Sequence, residues 1–375
     1  MKKVITALRV LETQGAGGVK TVIRQKLSDN VEKQKSKLRE VLGEVMEFGV
    51  RPRLLRLTVR HIYGPREIFY APDELLVISV VRNGELHVRS FMEHYLSLGV
   101  KHLVFLDNGS TDRTVEMLCE YDKVTVLQTN APYKKYENIM KRYLAERFSR
   151  GRWNLCADID ELFDYPFSTV LSLRDFLNYL NENGYTAVIS QMLDMFSDIP
   201  LAELKSHIDD RLKETYTYYD LSAVKKTDYS WSECANDQIK MHRGGIRKSV
   251  FGTNNGLTKA ALVLMDGQVK TFVDWHHVRG ARVADISCLL KHYPFVSSFH
   301  AKAQDAAQTG RYGMSTTDEY KAYWAGLERQ PNLNLKLESA RLLTGLEELI
   351  DGGFLVVSEQ YRQWVESVLQ KRIEE

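Results

Sequence analysis

The chain of 375 residues contains no run of about twenty apolar residues, so nothing in it reads as a membrane-spanning helix. Its start, Met1-Lys2-Lys3-Val4-Ile5-Thr6-Ala7-Leu8-Arg9, is too briefly apolar for a secretory leader. Cysteine is scarce too: Cys119, Cys156, Cys234 and Cys288 stand far apart without metal-type spacing. That argues against a disulfide framework or a thiolate zinc site and fits buried thiols in a reducing compartment. There is no Gly-x-Gly-x-x-Gly and no Gly-Lys-Ser/Thr, which argues against a dinucleotide fold and a P-loop. Internal repeats and low-complexity tracts are absent as well. The expectation is a cytoplasmic protein.

What is present is a composition that is 44% hydrophobic, enough to bury a large core, and a formal net charge of only +2. The small net charge hides an asymmetry. Residues 1 to 66 hold fifteen Lys and Arg against six Asp and Glu, so this arm carries +9 and the remainder −7. Ser28 is placed to cap a helix whose apolar residues Val31, Leu38, Val41, Leu42, Val45 and Met46 share one stripe. Such a stripe is expected to dock on the main domain or on a second subunit, giving a homodimer. Peripheral contact with the inner face of a membrane is the other reading, disfavoured because the stripe is poor in aromatics. No nucleic-acid reading module is recognisable, so no nucleic-acid partner is expected.

From residue 75 onward the chain alternates. Leu75 to Val81 is an apolar, β-branched strand, and Glu85 to Leu98 a helix stopped by Gly99. His102 to Leu106, Val124 to Leu127 and Trp153 to Ala157 read as further strands, with helices over 114–121 and 133–149 between them. Regular alternation calls for right-handed crossovers and a mostly parallel sheet covered on both faces. Ligands bind such sheets outside the carboxyl ends of the strands. Here those ends carry Asn83, Asp107 and the pair Asp158/Asp160.

Trp153-Asn154-Leu155-Cys156-Ala157-Asp158-Ile159-Asp160-Glu161 is an apolar run that ends in three carboxylates. Asp158 and Asp160 are one residue apart, so in an extended chain they face the same side, close enough to hold one divalent cation against a diphosphate. A nucleotide met through carboxylates rather than glycines needs such a cation to cancel repulsion.

Val80-Val81-Arg82-Asn83, Leu106-Asp107-Asn108-Gly109-Ser110-Thr111-Asp112 and Ala157-Asp158-Ile159-Asp160-Glu161, in that order, resemble the nucleotide-sugar domain of glycosyltransferase family 2-like proteins with the GT-A fold. The similar branch writes Asp-Asn-Gly-Ser for Asp-Asp-Gly-Ser and follows the metal motif with Glu. Gly244-Gly245-Ile246-Arg247 with Phe251, Leu257-Thr258-Lys259, His276-His277 and the segment 289–299 extend the resemblance over about residues 75 to 365. It implies an α/β GT-A domain over 71–310, with a nucleotide-sugar half at 71–165 and an acceptor half at 166–310. A basic helical extension would occupy 1–70, and a C-terminal helical region, read as scaffold, 311–375. It further implies a metal-dependent, inverting sugar transfer from a nucleotide diphosphate sugar to a hydroxyl acceptor in polysaccharide or surface-glycan assembly. Asp107 would contact the base, with Asn83 on the same floor, Asp158 would touch ribose or metal, and Asp160 would hold Mn²⁺ or Mg²⁺. From the residues alone, Asn83 and Asp107 also read as turn residues that satisfy loop amides.

The second half is less regular. Two glycines and three positive charges in Met241-His242-Arg243-Gly244-Gly245-Ile246-Arg247-Lys248 suit a diphosphate clamp, with Arg247 its bidentate member. Lys259, in an otherwise apolar strand, is expected to face an anion. A strand over 269–275 ends in His276-His277, which point opposite ways, and His277 is the imidazole expected to complete the cation's coordination. Tyr216, Tyr218, Tyr219 and Trp231 suit a sugar-acceptor pocket. Asp194, Asp220 and Asp237 are the general-base candidates. Residues 285–290, 292–307 and 317–329 read as helical. A nucleotidyltransferase on a similar sheet and a catalytically silent glycan-binding protein are the rival functions.

Overall fold

The computed structural model describes residues 29, 32–33, 36–37, 43–205, 211–272 and 276–374, with the side chain of Met314 left aside. The expected Ser28 cap, most of its stripe and the last three residues of the strand expected over 269–275 lie outside the described residues. The chain divides into two compact units, Met1–Leu57 and Thr58–Glu375. In the first, a wide helical turn at Val45–Val50 runs into helix α1 (Arg51–Thr58).

The second unit is built on a sheet of ten strands: β1 (Arg60–Tyr63), β2 (Leu76–Val81), β3 (His102–Asp107), β4 (Val124–Gln128), β5 (Trp153–Cys156), β6 (Glu161–Asp164), β7 (Ala187–Asp194), β10 (Glu233–Cys234), β12 (Thr258–Leu264) and β13 (Arg282–His292). Two short strands, β9 (Lys225–Asp228) and β11 (Lys240–Arg243), pair separately, as do β8 (Tyr218–Tyr219) and β14 (Arg341–Leu342). The order is β1-β4-β3-β2-β5-β12-β7-β13-β10, with β6 added beside β13. Seven of the ten strands run one way; β1, β6 and β12 oppose them. The fold is thus the mixed α/β, mostly parallel sheet that the alternation implies.

The chain first steps β2, β3, β4 in one direction, through α2 (Glu85–Ser97) and the short α3 (Thr114–Leu118). It then returns through α4 (Tyr133–Phe148) to β5 on the other side of β2. Right-handed crossovers in opposite directions place α2 and α4 on opposite faces. The reversal makes the β2/β5 boundary a topological switch point, the usual place for a ligand crevice.

The largest departure from the sequence reading is β13. Residues 285–290 read as helical, yet they form the middle of an eleven-residue strand that is buried on both faces. A strand covered on both sides shows no alternation, so its period carries no signal. Two of its polar side chains find partners from other elements: Asp285 Oδ2 accepts from Tyr179 Oη at 2.8 Å, and Ser287 Oγ from Val356 N at 2.8 Å. The helix expected from 292 begins only at Phe299, and of the strand expected over 269–275 the described residues show a single antiparallel bridge, Lys270 with Arg279. The remaining helices are α5 (Leu173–Glu182), α6 (Leu212–Thr215), α7 (Ile246–Phe251), α8 (Phe299–Thr309), α9 (Met314–Arg329), α10 (Glu347–Asp351) and α11 (Glu359–Glu374).

The core holds histidines in their neutral form. Burial lowers His94 to about 4, even though its ring meets the Phe163 carbonyl oxygen at 2.6 Å, and lowers His102 to about 4. A histidine depressed in the folded state gives stability that is complete above its unfolded value, about 6.5, and is lost as pH falls through the folded one. His94 alone is expected to remove on the order of 3 kcal/mol by pH 4. Urea midpoints measured from pH 7 down to 4 will show this fall, and His94→Gln will flatten it.

Candidate functional site

β5 hands the chain into a tight turn. Glu161 N donates to Asp158 O at 2.9 Å and Asp158 N donates to Glu161 Oε2 at 2.8 Å, so the acidic tetrad closes on itself before β6 begins. Neighbours hold the turn rigid: Tyr95 Oη donates to Glu161 O at 3.0 Å, and Tyr293 N donates to Asp160 O at 2.8 Å. The expectation of an extended Asp-x-Asp with both carboxylates on one side is therefore corrected. Because the backbone turns, the two side chains meet different partners while lining the same cleft.

Asp158 faces two buried lysines. Lys141 Nζ lies 3.2 Å from its Oδ1 and Lys259 Nζ 3.3 Å from its Oδ2, and Lys259 also donates to Glu161 Oε2 at 2.6 Å. Burial opposes the charge on Asp158, but the two ammonium groups outweigh it and hold the carboxyl below its ordinary range. Lys259 thus meets the anion expected of it, and that anion is the protein's own.

Asp160 faces the other way. His292, the last residue of β13, places Nε2 at 3.7 Å from its Oδ2, and Lys302 Nζ of α8 lies at 3.7 Å. The opposite ring nitrogen, His292 Nδ1, is held by Asp194 Oδ1 at 2.6 Å, and Asp194 Oδ2 accepts from Arg247 Nε at 2.7 Å. Arg247 continues to Glu319 Oε1 at 3.3 Å. Burial works against the charge on His292, but the carboxylates of Asp160 and Asp194 on either side of the ring raise it to about 9. Burial likewise resists ionisation of Asp160, and Lys302 and His292 keep it well below the usual carboxylate range. A carboxylate that fixes one imidazole nitrogen so that the other is presented to an acidic site is the arrangement that orients metal-binding histidines.

These groups open onto a cleft of about 1250 Å³ at the carboxyl ends of β2 and β5, the switch point. Its floor includes Val80 to Asn83 and Asn108; its walls include Met241 to Arg243 and Thr253 to Gly256. A third wall comes from α8 and α9, with Lys302, Arg311, Tyr312 and Tyr320. The helices read as remote scaffold from residue 311 onward therefore begin inside the site. Tyr312 meets the ring of Tyr133, at the start of α4, edge-on at 6.2 Å, so this wall reaches across to the sheet side.

Asn83 lines the cleft in a left-handed conformation, φ 52°, with Oδ1 accepting from Thr111 N at 2.8 Å. Asp107 ends β3 but does not line the cleft. It is fully buried, and its oxygens accept from Gly109 N at 3.1 Å, Ser110 N at 3.1 Å and Gln128 Nε2 at 2.9 Å. The turn reading of Asp107 accounts for this placement, while the neighbouring Asn108 reaches the cleft.

The three general-base candidates are corrected. Asp194 is buried between Arg247 and His292. Asp220 is buried and accepts from Ser222 N and Ser339 Oγ, both at 2.7 Å. Asp237 is exposed and lies off the cleft. Arg247 does line the cleft, but its guanidinium is already paired. The adjacent glycine is explained by packing, since a Cβ on Gly244 would sit 2.4 Å from Ala223 O. Tyr216, Tyr218, Tyr219 and Trp231 do not line the cleft; its aromatic surface comes instead from Tyr133, Phe295, Phe299, Tyr312, Tyr320 and Tyr323.

His276 and His277 both line the cleft. His277 is stacked on Trp231 with centroids 4.7 Å apart, whereas the imidazole beside Asp160 is His292. Sequence reasoning missed His292 because reading β13 as a helix hid the fact that His292 is a strand end. Among the described residues no three His, Cys, Asp or Glu side chains are gathered as a metal cluster. With the Nε2 proton of His292 displaced, the pair Asp160 and His292 nevertheless fits a divalent cation. Their 3.7 Å separation is too long for a hydrogen bond and within the span of two donors each about 2.1 Å from one ion.

No family model and no curated protein matches the chain. Among solved structures, the chain is similar to the mannosyltransferase PcManGT from Pyrobaculum calidifontis, solved with GDP-Man and Mn²⁺. The identity is 14% over 87% of this chain and 93% of that one, with a TM-score of 0.33. It is also similar to a nucleotidyl transferase from Methanothermobacter thermautotroptrophicus, at 12% identity over 34% of this chain and 63% of that one, TM-score 0.21. The chain thus spans less than two thirds of the nucleotidyl transferase. At these overlaps neither likeness bears on activity, and the functional reading rests on the cleft.

Proposed function

We propose that the protein is a metal-dependent glycosyltransferase that moves a sugar from a nucleotide diphosphate sugar to a hydroxyl acceptor. The observation that carries this reading is the pairing of Asp160 with a His292 braced by Asp194, at the switch point of a mostly parallel sheet and beside the ammonium of Lys302, 3.7 Å from the same carboxylate. Asp160 and His292 would hold Mn²⁺ or Mg²⁺, with diphosphate oxygens and water completing the shell, and the ion would supply charge neutralisation for the leaving diphosphate. Lys302 stands where it can add to that neutralisation, in place of the expected Arg247 clamp, while Arg311 on the same wall is paired with Asp305 at 2.6 Å. Asp158, neutralised by Lys141 and Lys259, is left to accept from a ribose hydroxyl rather than to bind the ion. The cleft is larger than a single small ligand needs, which leaves room for the acceptor beside the donor. Family 2-like inversion, glycan assembly and a cytoplasmic setting belong to the same proposal; no helix among the described residues is long and apolar enough to cross a membrane.

The test is incubation with a panel of nucleotide sugars and Mn²⁺, following release of nucleoside diphosphate. Release of nucleoside diphosphate with sugar transferred or hydrolysed supports the proposal. Pyrophosphate release from nucleoside triphosphate and sugar phosphate would replace it with nucleotidyl transfer, and glycan binding without turnover would replace it with a silent binder. Lys302→Ala is expected to raise the donor KM by roughly tenfold or more, the worth of a charge-assisted contact, with the fold unchanged by circular dichroism.

A further inference from the structure

The first unit, taken by itself, presents an apolar stripe that nothing described covers. Met46, Val50, Leu54 and Leu57 follow one another at spacings of four, four and three, so they fall on one side of the helical stretch from Val45 to Thr58. They are 38%, 38%, 46% and 84% exposed. Arg51, Arg53 and Arg56 stand on the same helix, Arg51 paired with Glu47 at 3.4 Å, and the helix's single buried residue is Leu55. The unit belongs to the arm that carries fifteen basic against six acidic residues.

We propose that this stripe is a docking surface for an anionic lipid bilayer, with the side chains of Met46, Val50, Leu54 and Leu57 in the headgroup region and the positive charge of Arg53 and Arg56 beside the lipid phosphates. This inference is independent of the reading of the cleft. Two observations on the helix select the bilayer over a second copy of the chain. Four partly exposed side chains offer on the order of a few hundred Å² of apolar surface, below the roughly 800 Å² per partner that a stable protein interface buries. A stripe-on-stripe contact would also set the arginines of two copies against each other, whereas anionic headgroups complement them. The stretch is too short to span a bilayer, so the contact is a lie-flat, reversible one.

The experiment is co-sedimentation of the full chain with phosphatidylcholine vesicles with and without phosphatidylglycerol, at low and high salt. Sedimentation velocity and thermal unfolding of each variant run alongside. Binding is expected only to the anionic vesicles and is expected to weaken with salt. Leu54→Glu with Leu57→Glu is expected to abolish it. Arg53→Ala with Arg56→Ala is expected to weaken it by roughly thirtyfold, about what two basic residues contribute at an anionic surface. Both pairs are exposed, so unfolding temperatures should hold. Failure to bind anionic vesicles, binding that ignores both substitutions, or self-association lost with the two glutamates in place of vesicle binding would each overturn the proposal.

Discussion

Asp160→Asn is expected to lower kcat/KM for donor turnover by about a thousandfold or more while the protein stays folded. The carboxylate faces Lys302 and His292, both at 3.7 Å, and the amide keeps its size and place but not its charge. Removing one preorganised group aimed at charge that builds up on a leaving group costs about 10² to 10³ in rate, and removing a cation's only carboxylate costs more. The brace behind the imidazole should show a smaller effect. Asp194→Asn keeps an oxygen for His292 Nδ1 but no longer balances Arg247, and outer partners of this kind are worth about 10- to 100-fold in metal affinity. Steady-state kinetics at several Mn²⁺ concentrations separate the two: added metal should rescue Asp194→Asn in part and Asp160→Asn not at all.

Lys259→Met is expected to give the largest loss of stability among substitutions at the cleft. The ammonium is buried, donates to Glu161 at 2.6 Å and lies 3.3 Å from Asp158. Without it Glu161, itself buried, keeps the Asp158 amide but has no cation against its carboxylate, and breaking a buried pair from one side costs about 3 to 5 kcal/mol. Glu161 also receives the Asp158 amide, so the loss loosens the acidic turn and activity falls with stability. Adding Glu161→Gln to Lys259→Met removes the stranded charge and should recover much of the difference. Urea denaturation of the two single variants and the double variant measures this coupling directly.

The parallel half of the sheet was legible because its strands are short, mostly apolar runs closed by polar or glycine residues, as in Leu76 to Val81 before Arg82-Asn83-Gly84. The end of β5 was legible for the same reason, since three carboxylates cannot continue a buried strand, but the turn they form was read as extended chain. Legibility failed where burial on both faces erases periodicity, and β13 is the example: with it went His292, which only a strand reading would have placed at the cleft. It also failed wherever a charged residue is answered by a distant one. Arg247 and Lys259 read as ligand-facing cations because Asp194 and Asp158 stand 53 and 101 residues away in sequence. The cleft wall from α8, α9 and the segment between them was missed because nothing local distinguishes a helix that covers a sheet from one that covers a ligand.

The most direct measurement is isothermal titration of the protein with nucleotide diphosphate sugars, with and without Mn²⁺, repeated on Asp160→Asn. Binding of at least one donor that needs both the ion and the Asp160 carboxylate is the expected result. Metal-dependent donor binding that persists unchanged in Asp160→Asn would contradict the account.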